Sequence, residues 1–165
     1  MADLIAEPAV SGLPLSHGRA TLAAHDPGRV TAIAPYPGRT VPGFPAPGQV
    51  LGPMVWAGRG LAFHLGDNPP ETPDAAITDQ SDGWAWVTLS GPDAGTVLAR
   101  LCPLDLRPAA FPVGTSARTM LQHLSVLMIR DGADRFRIAA YRSMARTLVH
   151  EIEAAMQAVA ARRAP

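Results

Sequence analysis

The clearest alternation of apolar and polar positions lies in the second half of the chain. The segment WAWVTL, residues 84–89, alternates with a period of two, which is typical of a β-strand. One face of this strand carries Trp84, Trp86 and Thr88. The alternation therefore predicts a strand with two different faces.

The next segment, SGPDAGTVLARL at residues 90–101, has the spacing of a helix. Its apolar residues recur at intervals of three and four positions, at Ala94, Val97, Leu98 and Leu101. Proline and aspartate at 92 and 93 suit a first helical turn, and the Cys-Pro pair at 102–103 ends the pattern.

Residues 117–141 again have strand patterns. LSVLMIR and RFRIAAY are joined by DGAD, a short turn typical of a hairpin. In the second strand, apolar residues at 136, 138 and 140 alternate with Arg135, Arg137 and Ala139, so we expect one face to be solvated.

A final helix is predicted over roughly residues 144–163. Ser143 can cap its start. Its apolar stripe consists of Met144, Leu148, Ile152, Met156 and Val159. The order strand, helix, strands, helix predicts an α+β fold, an antiparallel sheet with helices packed on one face.

The first half of the chain differs in composition. Residues 1–73 contain 12 of the 17 prolines and 10 of the 15 glycines, which disfavours helices. Short strand candidates lie at 28–34 and 60–66. We expect residues 1–49 to form a Pro/Gly-rich extended arm, partly disordered or lying along a neighbouring surface, followed by an α+β domain at 50–165.

Composition and charge narrow the possible classes of protein. The 14 basic residues balance 14 acidic ones, so neither nucleic acid nor an anionic membrane is an expected partner. The chain has no lysine, which excludes Schiff-base and P-loop lysine chemistry. The start lacks the pattern of a secretory signal, and no apolar run approaches 18 residues, so a cytoplasmic location is expected.

Candidate chemistry is sparse. The single Cys102 excludes an intrachain disulfide, and its place at a helix C-terminus disfavours a thiolate, so a buried structural thiol is favoured over a nucleophile. The five histidines form no metal-binding pair. A basic cluster at residues 135, 137, 142 and 146 suggests either an anion site or a solvated face. We therefore predict no catalytic, cofactor-binding or metal-binding residue.

Several short motifs occur in a characteristic order over residues 78–156. They are D-x-S-D-G, S-G-P-D-A, L-C-P-L-D-L and A-F-P-x-G with R-T after it, followed by F-R and R-S. In this order they resemble the gamma subunit of heterotetrameric sarcosine oxidase. VLGPMVWAGRGLAF, residues 50–63, is similar to the family's upstream LGP-x-x-W strand.

The resemblance implies a fold related to the folate-binding domain of the aminomethyltransferase family. It also implies a complex that oxidatively demethylates sarcosine or a related N-methyl amine. The products would be glycine or the demethylated amine, hydrogen peroxide, and formaldehyde or methylene-tetrahydrofolate. FAD, FMN, NAD, zinc and tetrahydrofolate would belong to the other subunits, and this chain would hold no cofactor.

The partners implied by the resemblance are the alpha, beta and delta subunits. Possible subunit-interface residues are Trp84, Trp86, Asp105, Arg118, Arg135 and Arg142. Two other interpretations stay open. One is a stand-alone small folate-binding or aminomethyltransferase-like protein, and the other is an interaction module with an unrelated partner.

Overall fold

The computed structural model describes residues 7–162, and over this range the chain forms eleven strands and two α-helices. The strands are β1 (Leu15–His17), β2 (Ala20–Ala24), β3 (Val30–Pro35), β4 (Val50–Leu51), β5 (Met54–Gly58), β6 (Leu61–Leu65), β7 (Ala75–Asp79), β8 (Trp84–Ser90), β9 (Thr115–Leu121), β10 (Leu124–Gly132) and β11 (Arg135–Tyr141). The helices are α1 (Ala94–Leu98) and α2 (Ala145–Ala161).

The strands form two antiparallel sheets. The six-stranded sheet has the order β1-β2-β8-β11-β10-β9, and the five-stranded sheet has the order β4-β5-β6-β3-β7. The two helices pack on one face of the six-stranded sheet, and the five-stranded sheet packs on its other face. The α+β fold with helices on one face is confirmed, while the second sheet as a third layer is an addition to it.

Strand β8 lies inside the six-stranded sheet, between β2 and β11. Every residue from Trp84 to Leu89 is buried. Its alternation sends Val87 and Leu89 into the core beneath the helices, and Trp84 and Trp86 into the core between the sheets. The two faces predicted from the sequence therefore face two different cores.

The prediction that one face of β11 is solvated is wrong. Ala139 is fully buried between the sheets, in contact with a cluster that includes Val30 and Phe63 of the second sheet. Arg137 is largely covered and makes an ion pair with Asp131, with 3.0 Å between Nε and Oδ2. The alternation of arginine with apolar residues predicted a face exposed to water, because the sequence pattern did not reveal the second sheet that covers this face.

The Pro/Gly-rich first half supplies strands to both sheets. β1 and β2 pair into the six-stranded sheet, and β3 pairs with β6 and β7 in the five-stranded sheet. The strands predicted at 28–34 and 60–66 correspond to β3 and β6. Residues 15–35 thus differ from the separate arm expected for residues 1–49, because these strands find partners far along the chain. Residues 1–6 of that segment lie outside the described residues.

Helix α1 is shorter than the predicted range of 90–101 because the chain turns sharply before it. Gly91 has a φ of 107°, and a Cβ there would lie 2.2 Å from the carbonyl oxygen of Arg19. Asp93, at the start of the helix, makes no side-chain capping bond and instead pairs with Arg19, with 2.9 Å between Oδ1 and Nη2. The apolar positions predicted for this helix are nevertheless buried in the helix-side core.

Helix α2 confirms the final predicted helix, but its start differs. Ser143 lies in a short 3-10 turn and does not cap the helix, whose N-cap position is Met144. Leu148, Ile152 and Met156 of the predicted stripe are buried, whereas Met144 is exposed. The tightened turn moves Met144 off the buried face.

The segment from residue 102 to residue 114, which crosses from α1 to β9, is held by a buried arginine. Arg130 of β10 is 5% exposed. Its guanidinium donates to the carbonyl oxygens of Leu106 at 2.9 Å and Phe111 at 3.0 Å. It also donates to those of Gly132 at 3.2 Å and of Ala133. One side chain therefore joins this crossing segment to the β10–β11 turn.

We expect Arg130→Met to destabilise the chain by about 3 kcal/mol, because it leaves these carbonyl groups without donors. Urea unfolding followed by circular dichroism measures the change. Arg100→Met is the matched control, since Arg100 is exposed just before the same segment, and it should leave the unfolding midpoint nearly unchanged. Equal midpoints for the two variants would contradict the role assigned to Arg130.

Candidate subunit interface

The structure brings together only some of the six residues predicted to lie at an interface. Trp84 and Trp86 are buried in the core between the sheets. Arg118 lies over Trp84, with 5.1 Å between its Cζ atom and the ring centroid. Arg135 and Asp105 lie in other parts of the fold.

Two arginines of the predicted basic cluster stand at opposite ends of one strand. Arg135 begins β11, and Arg142 follows its last residue, so seven residues of extended chain, roughly 23 Å, separate them. Arg135 lies 3.6 Å from Asp131 between Nε and Oδ1. Arg142 donates to the backbone carbonyl of Glu7. These contacts divide the cluster and do not form one anion site.

The residues around Trp84 form an exposed surface at one end of the six-stranded sheet. Tyr141 stacks on Trp84 with 4.7 Å between ring centroids, and Nη2 of Arg118 donates to Oγ of Ser125 at 3.1 Å. Met120 lies beside Ser125 across the β9–β10 pair. We call these five residues the Trp84 surface.

The composition of the Trp84 surface is that of a protein interface. Tyr141 is 50% exposed and Met120 is 45% exposed. Tyrosine, tryptophan, methionine and arginine are the residue types enriched in interface cores. Phe63 packs against the ring of Trp84 in an edge-on arrangement, with 5.2 Å between the ring centroids. This contact restricts the movement of the Trp84 ring.

The sequence pattern missed Tyr141 and Met120. The register pairs Tyr141 with Trp84, and it pairs Met120 with Ser125. A signal was present, because Tyr141 continues the face of β11 that carries Arg137 and Ala139. It could not be used without knowing where the second sheet ends.

Cys102 and Asp105 lie in different environments. Cys102 is buried in the helix-side core, and this burial raises the pKa of its thiol. Asp105 is exposed and pairs with Arg107, whose side-chain and backbone hydrogen bonds lower the pKa of the Asp105 carboxyl to about 2. Neither group is poised for acid–base or nucleophilic chemistry.

Residues 7–162 contain neither a cluster of metal ligands nor a membrane-spanning helix. In this range, no three His, Cys, Asp or Glu side chains come close enough to hold a metal ion. No helix there has the length and apolar character that crossing a membrane requires.

The geometry thus defines an antiparallel α+β chain of three layers with an exposed surface of aromatic and basic side chains. No protein-family model matches the chain. It is 35% identical over 96 residues to the sarcosine oxidase subunit gamma of Corynebacterium sp. (strain P-1), covering 58% of this chain and 45% of that protein. It is 38% identical over 79 residues to the same subunit of Arthrobacter sp, covering 46% of this chain and 36% of that protein.

A solved structure shares the fold over almost the whole chain. It is a chain of the heterotetrameric sarcosine oxidase from Corynebacterium sp. U-96 in complex with pyrrole 2-carboxylate. The TM-score is 0.78 at 24% identity, with 89% of each chain covered. The resemblance predicted from the ordered motifs is confirmed, although the match spans less than half of the length of the curated relatives.

We expect Cys102 to resist thiol reagents in the folded chain, because its thiol is buried and its raised pKa disfavours the reactive thiolate. At pH 8, reaction with a chromogenic disulfide should be at least about 100-fold slower in buffer than in urea. Fast labelling of the folded chain would contradict a structural role.

The Asp105–Arg107 pair predicts a pH effect of known sign. The pKa of Asp105 lies below that of an unfolded aspartate, so the pair stabilises the fold above roughly pH 4 and this contribution is lost as the pH falls toward 2. Arg107→Ala should move the carboxyl titration of Asp105 upward, as measured by NMR. Arg100→Ala, another exposed arginine nearby in sequence, should leave that titration unmoved.

Proposed function

We propose that this chain is a non-catalytic gamma subunit of a heterotetrameric sarcosine oxidase-type complex. Its role is to stabilise the assembly of the alpha and beta subunits. The observation that carries the proposal is the agreement of the three-layered fold over 89% of both chains with a chain of such an oxidase. The 35% identity to gamma subunits over 96 residues supports the same assignment.

The chemistry of the described residues supports a role in assembly. The Trp84 surface places rigid aromatic rings and an arginine at the open end of a sheet, which suits a protein partner. The reaction proposed for the complex is oxidative demethylation of sarcosine or a related N-methyl amine. FAD, FMN, NAD, zinc and tetrahydrofolate would be held by the alpha, beta and delta subunits, and the complex would act in the cytoplasm.

The Trp84 surface should contribute to subunit binding. The variant Arg118→Glu replaces the cation over Trp84 with an anion, and we expect it to weaken assembly with the cognate subunits at least about tenfold. Co-expression with a tagged beta subunit, followed by affinity purification and quantification of the bound chain, measures the effect.

The matched control is Arg100→Glu. Arg100 is exposed beyond α1, on the helix side of the fold, and the same charge change there should leave assembly unchanged. Full assembly of the Arg118→Glu chain would exclude the Trp84 surface as a contact. Failure of the wild-type chain to assemble with the oxidase subunits would overturn the proposed function itself.

The isolated chain offers a second test. Purified without partners, it should be aggregation-prone at high concentration, because the Trp84 surface is then exposed, and it should contain no flavin. Calorimetry with tetrahydrofolate separates the proposal from a stand-alone folate-binding protein. Micromolar binding by the isolated chain would favour that alternative.

A further inference from the structure

An open groove lies beside the Trp84 surface, next to Ala24, the last residue of β2. Its walls are residues 8–10 and residues 24–28, and its floor is formed by Trp84 and Trp86. Its volume is about 530 Å³, within the usual range of a binding site. We call it the Trp86 groove, and it shares Trp84 with the Trp84 surface.

Two ring nitrogens at the Trp86 groove have no hydrogen-bond partner among the described residues. They are Nε1 of Trp86 and Nε2 of His25, and both atoms are buried. Trp86 is only 3% exposed. Buried polar groups in folded proteins nearly always have a hydrogen-bond partner, so these two nitrogens are candidates to bind a ligand at the groove.

The positions of these two rings are fixed by the backbone. The amide of His25 donates to the carbonyl oxygen of Trp86 at 3.0 Å, and the ring centroids lie 6.1 Å apart. The indole nitrogen can only donate, so its missing partner is an acceptor oxygen. Burial, and then the positive charge of Arg137, lower the pKa of His25, so its neutral ring can either donate or accept.

The walls of the Trp86 groove suit an extended polypeptide. Pro8, Val10, Ala24 and Pro27 give it mostly apolar sides, and its one acidic lining residue, Asp26, already accepts from the amide of Gly28 at 2.9 Å. A peptide backbone supplies a carbonyl oxygen and an N–H at neighbouring positions without bringing a charge. Aromatic grooves with an indole donor bind extended, proline-rich segments in this way.

We propose that the Trp86 groove binds an extended, apolar segment of a partner subunit, whose backbone carbonyl accepts a hydrogen bond from Nε1 of Trp86. The adjacent peptide group of that segment pairs with Nε2 of His25. This inference rests on the proposed function, because the segment belongs to the assembled complex. Because Nε1 of Trp86 is buried, binding requires residues 8–10, which form no helix or strand, to move so that the segment reaches this nitrogen.

The variant Trp86→Phe tests the hydrogen bond, because it removes the N–H and keeps an aromatic ring. Co-expressed with the cognate oxidase subunits, it should assemble about tenfold more weakly than the wild-type chain. Trp56→Phe is the matched control, because it makes the same change of side chain on the opposite face of the five-stranded sheet. It should assemble normally. Thermal unfolding of both isolated variants reports any loss of folding.

Photo-crosslinking tests the occupant even if Trp86→Phe folds poorly. Pro8, an exposed wall residue, is replaced by p-benzoylphenylalanine, and the assembled complex is irradiated and mapped by mass spectrometry. We expect cross-links to one continuous segment of one partner subunit. The same replacement at Thr96, which is exposed on α1, should give no cross-link to that segment.

The outcomes separate this inference from the proposed function. If the wild-type chain assembles and Trp86→Phe assembles equally well, the proposed binding at the Trp86 groove is wrong. The same conclusion follows if the wild-type chain assembles and position 8 gives no cross-link to a partner. Both results leave the proposed gamma-subunit role intact. Cross-links to a second copy of this chain, or a small molecule retained in the complex at the groove, would also overturn the proposed binding at the groove. Failure of the wild-type chain to assemble would overturn both.

Discussion

The fold depends on the burial of one strand, β8, on both of its faces and along both of its edges. It pairs with β2 on one side and with β11 on the other. Its two faces belong to different cores, one beneath the helices and one between the sheets. Such a strand cannot be left partly covered, because any uncovered face would present Val87 and Leu89, or Trp84 and Trp86, to water.

This requirement explains why the Pro/Gly-rich half of the chain is folded. Val30, Val55 and Phe63 lie in short strands separated by prolines and glycines, and together they cover the tryptophan face of β8. Prolines and glycines then serve the turns between short strands. Local patterns could predict β8, the β10–β11 hairpin and α2, because period and turn chemistry are local. They could not predict the second sheet, since pairing of β3 with β6 and β7 joins residues 29 to 48 positions apart.

The same limit applies to the candidate interface. Trp84 and Arg118 were predicted separately, and the register places them together, because β8 and β9 belong to one sheet. Asp105 and Arg135 are charged residues of the kind found at interfaces, but each already pairs with a charge close in sequence. Asp105 pairs with Arg107, and Arg135 pairs with Asp131. Arg130 looked like any other arginine in the sequence. Only the fold shows that its guanidinium is enclosed by carbonyl groups, because burial of a charge is decided by which segment crosses over it.

The two sheets also differ in extent, and this difference determines which side chains of the six-stranded sheet stay exposed. The five-stranded sheet joins the six-stranded sheet near Ser116, whose amide donates to the carbonyl oxygen of Gly48 at 2.8 Å. At the other end of the same strands, the cover ends at Phe63 beneath Trp84, and Tyr141 and Met120 stay exposed. A larger second sheet would have buried these side chains within the chain. The shorter one leaves the exposed Trp84 surface and the Trp86 groove side by side, and the proposed contacts with partner subunits therefore lie where the second sheet ends.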